Sequence, residues 1–414
     1  MKQLGQNLKN LRENNLAVLL SAIWDSENLS RADLAKVTGL APSSVTRLTQ
    51  ELQRIGLIIE AGKGESSGGR QPVLITPNPG AGIVISLNLS GSSLLGGAYD
   101  SANHLLKHEE IPVTQYGPDA ILQYIDHLMD IFLHDPELAQ KKLLGIGVSI
   151  SAAVNVEKGE VSIGYYLRLR NFPLRRILKD KYHVPVYLET DTSVAALAEK
   201  NYGAVRKTDD FIYLLISTGI GVGMIKDGEI YQSNTGMSGK HGHIVIDRQG
   251  PICTCGKRGC LEAIAGRGAI LENAKRIFSE GRDPFVSELI HGDLDQLDLP
   301  HIAQAAQMGS QEAKNLIDYV AELIAYAISL YTMILNVPLV VVGGDVALEF
   351  GDIFIQSINR QLSKFLRDDE NVTILQTRLK KDHFLKAISM FTIQQILGEM
   401  YQAPAANHNG PAEK

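Results

Sequence analysis

The first 60 residues show a hydrophobic pattern typical of short amphipathic helices. Apolar side chains recur at steps of three and four residues, the spacing that places them on one face of a helix. In the first segment these residues are Leu16, Leu19, Leu20 and Ile23. Ser30, followed three residues later by Asp33, predicts the capping box of a second helix, and Gly39 predicts the turn that ends it.

A third helix is predicted to begin at Pro42, because proline is favoured at the first helical position. Its apolar face carries Val45, Leu48, Leu52 and Ile55. The opposite face carries short hydrogen-bonding groups and one cation, which are Ser43, Ser44, Thr46, Arg47 and Gln50. Two helices joined by a glycine turn, the second with a free polar face, form the pattern of a helix-turn-helix that enters the major groove of DNA.

The residues after this helix pair predict a wing. A short apolar strand at 57–59 is followed by a glycine-rich loop at 62–70 with basic residues at both ends, and a strand resumes at Val73. We therefore predict a winged helix-turn-helix domain over residues 1–76. The residues expected to contact double-stranded DNA are Pro42, Ser43, Ser44, Thr46, Arg47 and Arg70. The alternative for a helical hairpin with a polar face is a small protein-docking domain.

A linker at 77–82 separates this domain from a region in which β-branched strands alternate with helical patterns, so an α/β architecture is predicted. The predicted strands are 83–89, 143–150, 184–188, 211–216 and 339–342, and the predicted helices lie near 117–134, 191–200, 262–280, 311–335 and 383–400. The tail at 403–414, with its Pro, Ala and Asn residues, is predicted to be disordered.

The composition narrows the class of protein. With 414 residues and 44% hydrophobic content, two or three domains are expected, and a disordered or fibrous chain is excluded. The net charge of −6 excludes a polycationic nucleic-acid coat. Residues 1–80 nevertheless hold nine Lys and Arg against seven Asp and Glu, a sign that suits an N-terminal contact with DNA.

No membrane or secreted location is indicated. The uncharged stretch 323–344 is long enough to span a bilayer, but Asn336 and Pro338 divide it into a helix and a strand. The first ten residues lack the apolar segment of a secretory signal. Because three clustered cysteines cannot form a disulfide framework, we expect a cytoplasmic protein.

The strongest local signal is the cysteine cluster. All three cysteines lie in one glycine-bearing loop, within a span of eight residues, and a histidine precedes them. Thiolate and imidazole are the ligands that zinc prefers, and four of them with no open position are typical of a structural site. The alternative is three unrelated buried thiols. We predict a structural Zn²⁺ site with the ligands His243, Cys253, Cys255 and Cys260.

Glycine turns and one carboxylate follow predicted strands. The strand at 211–216 runs into a segment with three alternating glycines, 217–223, and the strand at 339–342 runs into Gly343 and Gly344. Such turns let backbone N–H groups approach a phosphate, although ordinary tight turns use the same residues. Asp191 follows the strand at 184–188, where it could accept a proton from a substrate hydroxyl or cap the next helix.

Together these motifs resemble the ROK family, which contains repressors, open reading frames and sugar kinases, and within it the sugar-responsive regulators. The resemblance covers essentially the whole chain. Its most specific parts are Gly68-Gly69-Arg70, Ser217 to Gly223, Gly242-His243, the run from Cys253 to Glu262, and Gly343-Gly344-Asp345. It implies a two-lobed, actin-like ATPase (ribonuclease H-like) domain around a sugar cleft. The lobes would cover 83–200 and 201–382, with a helix at 383–402 returning to the first lobe.

The resemblance also implies where this chain departs from the sugar kinases. The kinase phosphate loop has the form Asp-x-Gly-Gly-Thr, and the matching run here begins with Asn88 and has Ser90 in place of the first glycine. A neutral amide cannot supply the charge that a carboxylate supplies near Mg²⁺. Asp191 still matches the family's catalytic base. We therefore expect no enzyme activity, and the alternative is an ATP-dependent sugar kinase with an accessory DNA-binding domain.

The same comparison implies a changed sugar site. Its members here would be Thr190, Asp191, Lys240, His243 and Glu262, with Thr190 where Asn is usual and Lys240 where Glu is usual. The ammonium of Lys240 favours an anionic ligand such as a phosphosugar or a sugar acid. Alternatively, Lys240 faces solvent or pairs with Glu262, and the pocket is partly vestigial.

The resulting hypothesis is a repressor of carbohydrate-utilisation genes whose DNA affinity is set by a sugar or sugar derivative. One recognition helix contacts too few bases for useful specificity, so a homodimer, or a tetramer, is expected on an inverted repeat. The half-sites would be spaced by ~10 base pairs or a multiple of that.

Overall fold

The protein is described from a computed structural model that covers residues 15–16, 18–24, 26, 28–64, 71–206, 208–232, 241–279, 283–367 and 370–402. The predicted features that lie outside these residues include the wing loop at 65–70 with Arg70, Lys240 and the tail 403–414. The described part of the chain forms an N-terminal winged domain and two α/β lobes, each with a five-stranded sheet, which confirms the predicted fold class.

The winged domain has a short helical segment at 15–16 and 18–24. Its further elements are α1 (Arg31–Thr38), α2 (Pro42–Arg54), β1 (Leu29–Ser30), β2 (Ile58–Lys63) and β3 (Val73–Pro77), and the antiparallel sheet has the order β1-β3-β2. The Ser30 hydroxyl accepts the Asp33 N–H at 3.2 Å, and the Asp33 carboxylate accepts the Ser30 N–H at 3.3 Å, so the capping box is formed. Gly39 ends α1 in the left-handed region, with φ of 68°.

The first lobe consists of β4 (Ile83–Leu89), β5 (Ser93–Asp100), β6 (Leu105–Pro112), α3 (Pro118–Leu133), β7 (Leu143–Ile150), β8 (Ala153–Asn155), β9 (Glu160–Gly164), β10 (Leu169–Phe172), α4 (Leu174–Tyr182) and β11 (Val186–Thr190). The main sheet has the order β11-β7-β4-β5-β6, and β8 to β10 form a small sheet beside it. Because β4, β7 and β11 are parallel, their carboxyl ends meet at one edge, where α/β proteins bind ligands.

The second lobe consists of β12 (Phe211–Ile216), β13 (Ile220–Lys226), β14 (Glu229–Ile230), α6 (Leu261–Ala265), α7 (Arg267–Phe278), α8 (Pro284–Leu289), α9 (Leu299–Met308), α10 (Gln311–Leu335), β15 (Leu339–Gly343), α11 (Asp345–Leu362) and β16 (Thr373–Gln376). Its sheet has the order β14-β13-β12-β15-β16. Among the described residues, one helix, α10, is long and apolar enough to span a membrane. Here it is a core helix, with Ile317, Val320 and Ile324 buried against the lobe's other elements.

One predicted helix differs from the structure. The pattern at 262–280 predicts a single helix, but Gly266 is extended (φ −72°, ψ 158°) and separates α6 from α7. The apolar spacing continues across the break, so periodicity alone does not reveal it. A Cβ at Gly266 would lie 2.6 Å from the Glu262 carbonyl oxygen, so this tight bend requires glycine.

Two helices join the lobes: α5 (Asp191–Tyr202), which follows β11, and α12 (Lys381–Gln402). Helix α5 packs on β13 of the second lobe so closely that a Cβ at Gly223 would lie 2.0 Å from the Thr192 carbonyl oxygen. Helix α12 packs on α5 and on β4 and β7 of the first lobe. The start of α5 is therefore held between the two lobes.

The winged domain shares a hydrophobic core with the first lobe and α12. Its buried residues, including Leu19 and Leu52, pack in one cluster with Val84, Ile393 and Leu397. Beside this cluster, the Trp24 indole N–H donates to the Ser101 carbonyl at 3.1 Å. The residues predicted as a linker also form fixed contacts, since the Asn78 side chain donates to the Gly56 carbonyl at 2.6 Å and the Ser101 hydroxyl donates to the Asn78 carbonyl at 2.5 Å.

Candidate functional site

A cavity of about 680 Å³ lies between the two lobes. It is lined by the β4–β5 turn and the loop after β9 from the first lobe, and by the β12–β13 turn and the starts of α7 and α11 from the second. Three predicted effector residues, Asp191, His243 and Glu262, line it together. A concave interlobe cavity with convergent polar groups is the usual geometry of a small-molecule site.

Asp191 is the first residue of α5 and lies at the cavity wall. Burial raises the pKa of its carboxyl group to about 6, although the Ser151 side chain and the Thr192 N–H hydrogen-bond to it and oppose this shift. A carboxylate held in this way can accept hydrogen bonds from the hydroxyl groups of a ligand. Ser151 was not among the predicted site residues, because a lone serine after β7 carries no motif.

Thr190 and Glu189 support this position from behind. The Thr190 hydroxyl caps α5 by accepting the Ser193 N–H at 3.1 Å, and its side chain is buried. Thr190 is not one of the described residues that line the cavity. Glu189 is fully buried and accepts hydrogen bonds from the Thr190 N–H at 2.8 Å and from the Gln232 side chain at 3.0 Å.

The cysteine loop folds back on a short 3₁₀ helix, His241–His243. Tyr331 of α10 donates its hydroxyl to the His241 carbonyl at 2.9 Å, which anchors the loop to the second-lobe core. A Cβ at Gly259 would lie 1.4 Å from the Asp247 carbonyl oxygen, and Gly259 also has a φ of 72°, so the loop requires glycine there.

The predicted metal ligands come together. The ligand atoms of His243, Cys253, Cys255 and Cys260 all lie within 4.8 Å of one another. Cys253 Sγ lies 3.4 Å from His243 Nδ1, and Cys255 Sγ lies 3.6 Å from Cys260 Sγ. Metal–sulfur bonds of ~2.3 Å at the corners of a tetrahedron imply separations only slightly longer than these. The four residues therefore fit a closed tetrahedral metal site.

The chemistry of the sulfur atoms also suits a cation. Burial raises the pKa of the Cys260 thiol to about 12, and the neighbouring Cys255 and Cys253 add to this shift. A thiolate at this position therefore requires a positive charge close by, which a metal ion would supply.

Glu262 connects the cysteine loop to the cavity. One of its carboxylate oxygens accepts the Ile220 N–H at 3.2 Å, and the other lies 3.9 Å from His243 Nδ1. Metal ligation through Nδ1 would fix the imidazole proton on Nε2 and make that nitrogen a hydrogen-bond donor. Because His243 lies among the three cysteines and next to Glu262, a movement of the cysteine loop would displace both residues.

The predicted phosphate turn after β12 and the first-lobe turn that matches the kinase phosphate loop differ in their detail. Gly221 and Gly223 lie inside β13, and Gly223 serves the contact with α5, so only Gly219 belongs to the turn itself. In the first lobe, the Ser90 hydroxyl accepts the Ser93 N–H at 3.1 Å and donates to the Ser93 carbonyl at 3.0 Å. This turn uses its own polar groups, whereas a phosphate-binding turn offers them to a ligand.

The proposed DNA-contacting face is exposed. Pro42, Ser43, Thr46 and Arg47 lie on the solvent side of α2, Ser44 is half-buried, and Val45, Leu48 and Leu52 face the core. Arg31 of α1 donates to the Thr49 hydroxyl at 3.0 Å and to the Gln53 side chain at 2.9 Å. These hydrogen bonds fix the angle between the two helices. The residue spacing in the sequence did not predict them.

The fold and the site define a class of protein: a winged DNA-binding domain packed on a two-lobed, actin-like domain with an interlobe cavity and a cluster of one histidine and three cysteines beside it. The chain belongs to the ROK family, whose family description matches residues 84–389. A winged helix-turn-helix DNA-binding description matches residues 11–59.

The similar proteins include regulators over nearly their full length. The xylose repressor of Caldicellulosiruptor bescii is 29% identical over 95% of this chain and 98% of its own length. The DNA-binding transcriptional dual regulator NagC of Escherichia coli is 26% identical over 94% of both chains. A ROK family transcriptional regulator, a homologue of the E. coli MLC protein, has a TM-score of 0.79 at 25% identity and covers 94% of this chain and 98% of its own.

A solved kinase shares the fold of the two lobes. The ROK family glucokinase of Streptomyces griseus, in complex with glucose and AMPPNP, has a TM-score of 0.65 at 22% identity. It covers 75% of this chain and 99% of its own. At this identity the likeness shows the actin-like fold and carries no conclusion about catalysis.

Proposed function

We propose that this protein is a sugar-responsive transcriptional repressor of carbohydrate-utilisation genes. Its winged domain binds operator DNA, and a small carbohydrate in the interlobe cavity weakens that binding. The observation that carries the proposal is helix α12, which lines the cavity at Lys381 and Phe384 and packs into the winged-domain core at Ile393 and Leu397. One helix thus contacts both the cavity and the core of the winged domain. The direct test is the affinity of the full chain for operator DNA with and without sugars.

The effector couples to DNA only through a difference in affinity between two lobe orientations. A ~100-fold loss of DNA binding requires ~2.7 kcal/mol of coupling. Closure of the lobes around a ligand would move the first turn of α12, and the other end of that helix would reposition the winged domain. In a dimer, this mismatches two recognition helices to an inverted repeat with half-sites ~10 base pairs, or a multiple of that, apart.

In the effector site, Asp191, His243 and Glu262 hydrogen-bond to ligand hydroxyls. Thr190 holds Asp191 in place through the helix cap, which is an indirect role. Lys240 is assigned to the same site from the family pattern. The protein acts in the cytoplasm as a homodimer, or as a tetramer built from dimers.

The Trp24 contact gives a test of the coupling route. Trp24→Phe keeps an aromatic ring in place but removes the hydrogen bond to Ser101. A bond of this type contributes ~0.5–1.5 kcal/mol. We expect operator affinity without sugar to stay within about twofold, while the weakening caused by sugar falls by about two- to tenfold, as measured by fluorescence anisotropy. An unchanged sugar response would remove this contact from the route.

The metal bound by the four-residue cluster is proposed to be a structural zinc ion. Bound there, zinc would hold the loop that carries His243 and Glu262 against the β12–β13 turn. Cys255→Ser should lose the metal and the sugar response before it unfolds the first lobe, because no first-lobe residue belongs to the cluster. Thr254→Ser is the matched control in the same loop.

Elemental analysis of chelator-free protein measures this prediction. We expect about one zinc ion per chain in the natural protein and in the Thr254→Ser control. Less than about half an equivalent in the natural protein would contradict the zinc assignment.

Sugar kinase activity is the second candidate function, and the first-lobe turn disfavours it. Asn88 places an amide where the kinase loop has a carboxylate, and its Oδ1 has no hydrogen-bond partner among the described residues. The relatives aligned over the full chain are named as regulators. A coupled assay for ADP release across a sugar panel tests this candidate, and turnover on the order of one per second would support it.

A further inference from the structure

We propose that the effector is a neutral saccharide of two pyranose rings. One ring hydrogen-bonds to Asp191, His243 and Glu262, and the second ring stacks on Tyr166. This inference rests on the proposed function, since it names the chemical class of ligand for the same cavity. It is carried by the position of Tyr166, by the charge of the cavity and by its size.

Tyr166 is an aromatic ring fixed at the first-lobe side of the cavity. Its hydroxyl lies 3.0 Å from that of Tyr116, and the two rings meet edge to face with centroids 4.9 Å apart. The Tyr116 hydroxyl also lies 3.2 Å from the Gly91 carbonyl. A Cβ at Gly91 would lie 3.0 Å from Tyr166 Cδ1, so the ring rests directly on the β4–β5 turn.

Despite these contacts, Tyr166 remains 44% exposed. A held but exposed aromatic ring in a ligand cavity presents an apolar surface with little entropy left to lose on binding. The apolar C–H face of a pyranose matches such a surface, while its hydroxyl groups point sideways to polar partners. Tyr165, the preceding residue, contacts His243 edge to face with the ring centroids 5.2 Å apart, so Tyr166 is next in sequence to a residue that touches the predicted sugar site.

The charge of the cavity favours a neutral ligand. The described lining contains five carboxylate side chains and one lysine, which are Glu110, Asp191, Glu262, Glu272, Asp345 and Lys381. Lys381 pairs with Glu110 at 2.8 Å, and Arg267 pairs with Asp345 at 3.1 Å. Three carboxylates remain, and they would repel a phosphate or a sugar acid. Lys240 lies outside the described residues, and its single charge would offset only one of them.

The size of the cavity allows a second ring. A single pyranose displaces about six water molecules, or roughly 180 Å³. The cavity measures about 680 Å³, so one ring at Asp191 leaves most of it open. The Ser90 hydroxyl is hydrogen-bonded within its own turn, so it is not offered to a phosphate, and Tyr166 next to this turn can contact a second ring.

Isothermal titration of the full-length protein tests the proposal. The probes are xylose, glucose and N-acetylglucosamine, their β-1,4-linked disaccharides, and the 6-phosphates of the two hexoses. We expect at least one neutral disaccharide to bind at least about tenfold more tightly than its own monosaccharide. Tyr166→Ala should weaken that disaccharide about five- to tenfold and leave monosaccharide affinity within about twofold, while Tyr166→Phe, which keeps the ring, should resemble the natural protein.

Tyr319→Ala is the matched control, because Tyr319 is 45% exposed and lies on α10 outside the cavity lining. Equal or tighter binding of monosaccharides would overturn the two-ring proposal, and preferred binding of a 6-phosphate would overturn the neutral one. In either case a DNA-releasing ligand would leave the proposed function standing. Failure of every saccharide to bind protein that still binds DNA would overturn the proposed effector site as well.

Discussion

Arg47→Ala is expected to weaken operator binding by about 30-fold or more. Arg47 is exposed on the solvent face of α2, in the N-terminal half of the helix, and recognition helices contact base edges with their N-terminal residues. A good contact to a base edge contributes ~1–3 kcal/mol of discrimination, and a dimer loses one contact in each half-site. The loss should also be confined to one base position in each half-site, since a base contact specifies sequence.

Fluorescence anisotropy at fixed salt, with operator variants substituted at each position, measures this effect. Arg54→Ala is the matched control, because Arg54 is exposed in the last turn of the same helix. It should weaken all variants alike and by less. Arg70→Ala should likewise act uniformly if Arg70 contacts phosphate. Unchanged binding by Arg47→Ala would remove this face of α2 from the interface.

Asp191→Asn should produce a repressor that binds its operator normally but no longer responds to sugar. The carboxylate lies in the cavity and is remote from the winged domain, so DNA affinity should stay within about twofold. Hydrogen bonds from a ligand to a charged group contribute ~1.5–3 kcal/mol, so effector affinity should fall by at least about tenfold. A variant that retains the sugar response would exclude Asp191 from the effector site.

The same substitution should raise stability in a pH-dependent way. Burial raises the pKa of Asp191 from 3.8 to about 6, so the folded state holds the proton more tightly than the unfolded state. Below about pH 4 the group is protonated in both states and does not lower the free energy of unfolding. Its ionisation lowers the free energy of unfolding increasingly as the pH rises through 6. Asp191→Asn should gain about 1–3 kcal/mol at pH 8 and little at pH 4, as measured by thermal unfolding. The exposed Glu157→Gln is the control, and equal gains at both pH values would contradict this account.

The sequence contained the local elements because local rules determine them. The Ser30–Asp33 capping box, the left-handed Gly39 and the buried helix α10 each follow from residue type and spacing within a few turns. The cluster of His243 and the three cysteines could also be predicted, since three of its four residues lie in one loop within a span of eight residues. Such signals depend little on the rest of the chain.

The remaining features depend on contacts between distant segments. No spacing indicates that Val84, Ile393 and Leu397 share a core with the winged domain, or that Asn78 joins it to Ser101. The position of the Tyr166 ring depends in the same way on Tyr116, which lies 50 residues earlier in the chain. These long-range contacts pack the winged domain against the first lobe and α12 and fix Tyr166 at the cavity, and none of them follows from local spacing.

We expect a saccharide in the interlobe cavity to control DNA binding. This control is tested most directly by anisotropy titration of the full-length protein against a duplex selected from a random library, repeated with each saccharide at saturating concentration. We expect one saccharide to weaken binding by ~100-fold in the natural protein and to have no effect on Asp191→Asn. DNA affinity that no saccharide changes would contradict the account.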